Sequence, residues 1–157
     1  MRKMRHSLLV LLFITITGFL PAFSQVLHEE DITVWKNVVY AVPDGHELKL
    51  DIAVPKCLQA PAPAIVDIPG GAWRMVRKSS DDALFYAQYG FIGVSITHRT
   101  SDIAPFPAAV HDCKTVIRWL RAHVEQCHIN PNKIGVTGFP PVGIWRSFWE
   151  HRAGMLF

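Results

Sequence analysis

Residues Lys133–Gly143 read K-I-G-V-T-G-F-P-P-V-G. The first half has the β-branched, apolar make-up of a buried strand, and Gly138 opens a sharp turn. A strand running into a turn spaced G-x-S-x-G lifts a serine nucleophile onto a strained, exposed corner. Gly138 stands at the first glycine of that spacing, and the position that needs serine holds Pro140. The residues before this stretch read as the scaffold that leads up to it.

Working backward, Asn130-Pro131-Asn132 supplies turn chemistry ahead of a strand over Lys133–Thr137. Phe106–Gln126 has the spacing of one amphipathic helix. Phe106, Ala109, Val110, Cys113, Val116, Ile117, Leu120 and Val124 share a stripe, with Asp112, Lys114, Arg118, Arg121 and Glu125 opposite. Phe91–Thr97 is a buried strand, and Ser79 and Ser80 can cap a helix that carries Asp81 and Asp82 in its first turn and ends at Gly90. Ala64–Ile68, apolar with Asp67 embedded, has the profile of a strand covered on both faces and is followed by the loop Pro69-Gly70-Gly71-Ala72-Trp73. Pro55–Pro63 is a proline-rich connection. Before it, Ile32–Val42 and Glu47–Val54 flank Pro43-Asp44-Gly45, a hairpin with Leu48, Leu50, Ile52 and Val54 on its buried face. The order strand, helix, strand, helix, strand from Ala64 onward predicts an α/β fold, an antiparallel hairpin leading into a parallel sheet with helices on both faces.

The chain has 157 residues. Residues 1–24 read as a signal peptide: Arg2, Lys3 and Arg5 precede an apolar run over Ser7–Leu20, and Ala22-Phe23-Ser24 offers a small-x-small cleavage pattern before Gln25. The alternative reading is a membrane anchor, for which the run is short. Three of the 16 Lys+Arg and none of the 13 Asp+Glu lie in this segment, which leaves 13 against 13. A neutral mature chain gives no electrostatic basis for a nucleic-acid partner or an anionic membrane. The expectation is a secreted or periplasmic protein with no stable membrane insertion after cleavage. Cys57, Cys113 and Cys127 lack metal-ligand spacing, so neither a metal nor another cofactor is expected, and these thiols read as buried or unpaired.

Ligands collect beyond the carboxyl ends of the strands in an open parallel sheet, where Pro69–Trp73 and Gly138 both fall. The glycines permit a tight turn with bare N–H groups, as oxyanion stabilisation requires, although an ordinary glycine turn reads the same way in isolation. In combination, these stretches resemble the α/β-hydrolase esterases of the acetyl-esterase/lipase and feruloyl-esterase-like (BD-FAE-like) group. Asp67–Trp73 is similar to that group's H-G-G-G/A-W loop, with Pro69 in place of histidine. Tyr89–Arg99, Ala104–Leu120 and Ile129–Gly138 resemble its fourth strand and the helix and strand that lead to the elbow. The resemblance implies an oxyanion hole built on Gly70, Gly71 and Ala72, and Gly138 as the remnant of the elbow. It also implies a small-molecule or carbohydrate ester as the substrate of the intact relative. His98, Arg99, His111 and Asp112 precede the nucleophile position, out of order for a triad histidine, and read as loop anchors and helix surface.

The resemblance stops at Phe139. Relatives continue G-x-S-A-G-G-H-L-A. Here Pro140 has no hydroxyl, its ring holds φ near −65°, and Pro141 lacks the N–H that the residue after the nucleophile donates. Ser147 and His151 have no elbow around them. Restoring one base after the Phe139 codon lets the shifted frame read S-A-G-G-H-L-A. The expectation is therefore a partial domain over residues 25–138 and an out-of-frame tail over 139–157, with no catalytic residue retained. Two other readings stay open: a non-catalytic binding remnant, and a fragment of a serine peptidase on the same fold.

Overall fold

The hairpin forms where the alternation predicts it. β1 (Ile32–Ala41) runs antiparallel to β2 (Leu48–Pro55), joined by a turn over Pro43–Gly45 in which Asp44 (φ 50°) and Gly45 (φ 82°) adopt left-handed backbone. The computed structural model describes residues 26–71 and 74–138. Three more strands complete the sheet: β3 (Ala62–Ile68), β4 (Ile92–Ile96) and β5 (Ile129–Gly138). Their order is β1-β2-β4-β3-β5; β2 meets β4 antiparallel, while β3 runs parallel to both β4 and β5. The sheet is therefore mixed, with the expected hairpin on one side and parallel strands on the other.

Helices cover both faces. On one face, α1 (Ser80–Gln88) sets Ala83 and Ala87 against Ala53 and Ile32. Its approach is close: a Cβ on Gly93 would lie 1.9 Å from the Ala83 carbonyl oxygen, so only glycine fits beneath the helix. Ser79 caps α1 by accepting from Asp81 N–H, and Gly90 follows the helix end at φ 83°. On the other face, α2 (Ala108–Ala122) buries Val110, Cys113, Val116, Ile117 and Leu120 over Leu50, Ile52, Val66 and Val94. Burying such side chains contributes roughly 1.5–3 kcal/mol each, and this face holds the larger core.

Four local expectations need correction. Phe106 lies outside α2 and is 69% exposed, because a residue that precedes proline is kept out of helical backbone. The predicted single helix also breaks at His123, whose ring stacks on Trp119, and a short turn of helix, α3 (Val124–Cys127), follows. β5 starts at Ile129, not Lys133. Asn130–Asn132 is an insertion within the strand, since Ala62 pairs with Ile129 and Ala64 with Ile134. Finally, the two-faced burial predicted for β3 belongs to β2. Asp51 and Ala53 of β2 are buried along with Leu50 and Ile52, because β2 lies inside the sheet beneath α1. In β3 the Pro63, Ile65 and Asp67 face is only half covered among the described residues.

One row of polar residues crosses the α1 face of the sheet. Asp51 is the register partner of Ser95, Ser95 of Asp67, and Asp67 of Thr137. Paired residues on neighbouring strands point to the same face, so β2, β4, β3 and β5 each place one polar side chain on a common line.

Candidate active site

The carboxyl ends of β3 and β5 bring the two singled-out stretches together. Ile68 and Gly138 are register partners, so Pro69-Gly70-Gly71 and the start of the predicted elbow leave the sheet side by side. Gly71 has φ 145°, and its carbonyl accepts from Arg74 N–H (2.9 Å) and Met75 N–H (3.1 Å), closing a tight turn. A Cβ on Gly71 would lie 2.0 Å from the Met75 carbonyl oxygen, so no other residue can occupy this position without moving the turn. Ala72 and the nucleophile position, Pro140, lie outside the described residues, as do the predicted signal peptide and the tail over 139–157.

Between these ends and α1 lies a cleft of about 400 Å³, lined by Asp67, Gly70, Arg77, Asp82, Tyr86 and Thr137 among others. Burial, and then the charge of Asp82, push the Asp67 carboxyl up from 3.8 to about 6. Burial and then Asp67 likewise raise Tyr86, offset in part by the Thr137 hydroxyl. The sequence reading missed this acidic lining. Its signal was there in Asp67, a carboxylate inside a strand of apolar residues.

The other polar candidates lie elsewhere. Arg99 and Asp112 are both buried. The guanidinium donates from Nε (3.0 Å) and Nη2 (2.8 Å) to the two oxygens of Asp112, and Nη1 reaches Asp44 (2.7 Å). Arg99 is thus a loop anchor as read, but Asp112 is a core partner and not a helix-surface residue. Hydrophobic periodicity puts it on the polar side because periodicity cannot register a buried ion pair. His111 is exposed, and His98 is buried with Nδ1 3.0 Å from the Arg99 carbonyl. None of the four lines the cleft. Among the described residues no cluster of three or more His, Cys, Asp or Glu side chains could hold a metal, and no helix is long and apolar enough to cross a membrane. Cys57 is exposed, whereas Cys113 and Cys127 are buried.

This strand order, with a glycine loop after β3 set beside the glycine that ends β5, defines the N-terminal portion of an α/β hydrolase. The BD-FAE family model matches residues 50–143, and the chain belongs to that family. It is 32% identical over 84 residues to the probable carboxylic ester hydrolase LipM of Mycobacterium tuberculosis (strain ATCC 25618 / H37Rv), a match covering 52% of this chain and 20% of LipM. Among solved structures, a truncated form of a carbohydrate esterase from gut microbiota superposes at TM-score 0.56 and 34% identity, covering 76% of this chain and 41% of that one. MGS-M1, an α/β hydrolase from a Medee basin deep-sea metagenome library, shares the fold at TM-score 0.58 and 23% identity, over 68% and 46%. The chain thus spans about a fifth of LipM and less than half of these solved relatives.

Proposed function

We propose that this chain is the N-terminal part of an exported serine-type carboxylic-ester hydrolase, and that as written it turns over no ester. The observation that carries the reading is the register pair Ile68–Gly138, which sets a glycine loop beside the turn that would carry the nucleophile. In the working enzyme, the backbone N–H groups that follow Gly70, at Gly71 and Ala72, stabilise the oxyanion formed when a serine at the position of Pro140 attacks the ester carbonyl. The acid and histidine that assist it are assigned to the part of the relatives beyond the match. Family membership supports ester hydrolysis over peptide hydrolysis, and the carbohydrate esterase among the relatives supports an acylated sugar as substrate. The charged start and apolar run over residues 2–20 support export.

The reading rests on a one-base deletion near codon 140, so the decisive comparison is between this chain and its frame-restored counterpart. With a short-chain aryl ester, this chain is expected to give no turnover above buffer, and the frame-restored chain serine-dependent turnover. Turnover by the chain as written would overturn the assignment. Resequencing the locus separates a sequencing error from a frame-shifted gene.

A further inference from the structure

The segment that follows the glycine loop, residues 74–79, has little apolar burial to hold it. Arg74, Met75 and Arg77 are exposed, Met75 to 71%. Its far end is nonetheless fixed to the sheet by polar contacts. Lys78 Nζ donates to Asp51 Oδ1 at 2.6 Å, with the two side chains 14% and 5% exposed, and Ser79 N–H donates to Ser95 Oγ at 3.1 Å. Both acceptors belong to the polar row across the sheet. Asp51 is itself held in place, because the same oxygen accepts from Asn37 N–H (2.7 Å) at the bulge in β1, where Asn37 sits at φ 56°.

We propose that Lys78 is a positioning residue for the oxyanion loop, holding it through the largely buried ion pair with Asp51. Only Val76 and Arg77 separate Lys78 from Met75, whose N–H bonds the Gly71 carbonyl and whose own carbonyl packs against Gly71. A shift at Lys78 is therefore passed through Val76 and Arg77 to Met75 and so to the turn that holds Gly71. An oxyanion donor is useful only when preorganised at hydrogen-bond distance, so an anchor of this kind acts on rate more than on substrate affinity. The inference rests on the esterase reading for its consequence, though the anchoring itself is a property of this chain.

The test has two parts. In the 157-residue chain, Lys78→Met is expected to speed tryptic cleavage after Arg74 and Arg77 at least about tenfold, as local opening replaces a closed loop. Lys78→Arg restores the slow rate, and amide protection within α1 is unchanged. Should Lys78→Met unfold the whole domain, Asp51→Asn repeats the test with shape kept and the charge removed. In the frame-restored enzyme, Lys78→Met is expected to lower kcat roughly tenfold to a hundredfold with KM within about twofold. Cleavage and exchange equal to the parent's would overturn the anchoring. A frame-restored parent without turnover would instead sink the esterase reading and leave the proteolysis result to decide the anchor alone.

Discussion

Asp67 is a carboxylate whose chemistry its apolar neighbours in the sequence do not suggest. Its carboxyl titrates near 6 rather than 3.8, because it is half-buried at the cleft and faces Asp82. The folded chain therefore holds this proton more tightly than the unfolded chain does. The stabilisation it gives is complete below about pH 4 and is lost as pH rises through about 6. Urea midpoints measured across that window should fall more steeply with pH in the parent than in Asp67→Asn. Equal slopes would show that the site is better solvated than its lining implies. From sequence, Asp67 was legible as a polar interruption in a strand, but Asp82 and Tyr86 were not. They reach the same cleft only because α1 lies back across β4 and β2, with Asp82 and Tyr86 turned toward β3.

At the scale of elements, what could be read depended on whether the signal was local. Ser79, Asp81 and Asp82 announced the start of α1, and the stripe of Val110, Cys113, Val116, Ile117 and Leu120 announced the buried face of α2. Asp112 could not be read in this way, since its partner Arg99 lies 13 residues away at the end of another element. The pair fixes the start of α2 to the chain leaving β4. Asp112→Ala would leave the guanidinium buried with only Asp44, itself 83% exposed, beside it. The expected loss is about 3–5 kcal/mol of unfolding free energy, measurable by urea denaturation; a loss near zero would mean that Arg99 swings out to solvent. The insertion at Asn130–Asn132 has the sequence of a turn because it is one locally: Asn132 N–H donates to Asn130 Oδ1 (3.1 Å). That the strand resumes its register on the far side depends on β3 and is invisible to neighbouring residues.

At the scale of the whole molecule, the sheet is open at both ends. β1 and β5 are its two edges, and among the described residues β5 pairs only with β3. Beyond its insertion, the edge from Ile134 to Gly138 presents a row of backbone donors and acceptors to any other strand. The 157-residue chain is accordingly expected to self-associate with rising concentration in sedimentation velocity, and the frame-restored chain much less so; a monodisperse monomer at all concentrations would contradict this. The polar row from Asp51 to Thr137 bears on the same sheet in another way. Side chains alternate between faces along a strand, so a slip of β5 by one residue against β3 would turn the Thr137 hydroxyl into the apolar core under α2. It would also shift Gly138 by about 3.3 Å along the strand. The row thus works as a vernier: mismatched strands cannot all hide their oily faces and wet their polar ones at once. The offset between the glycine loop and Gly138 is therefore set by solubility rules that operate far from any substrate.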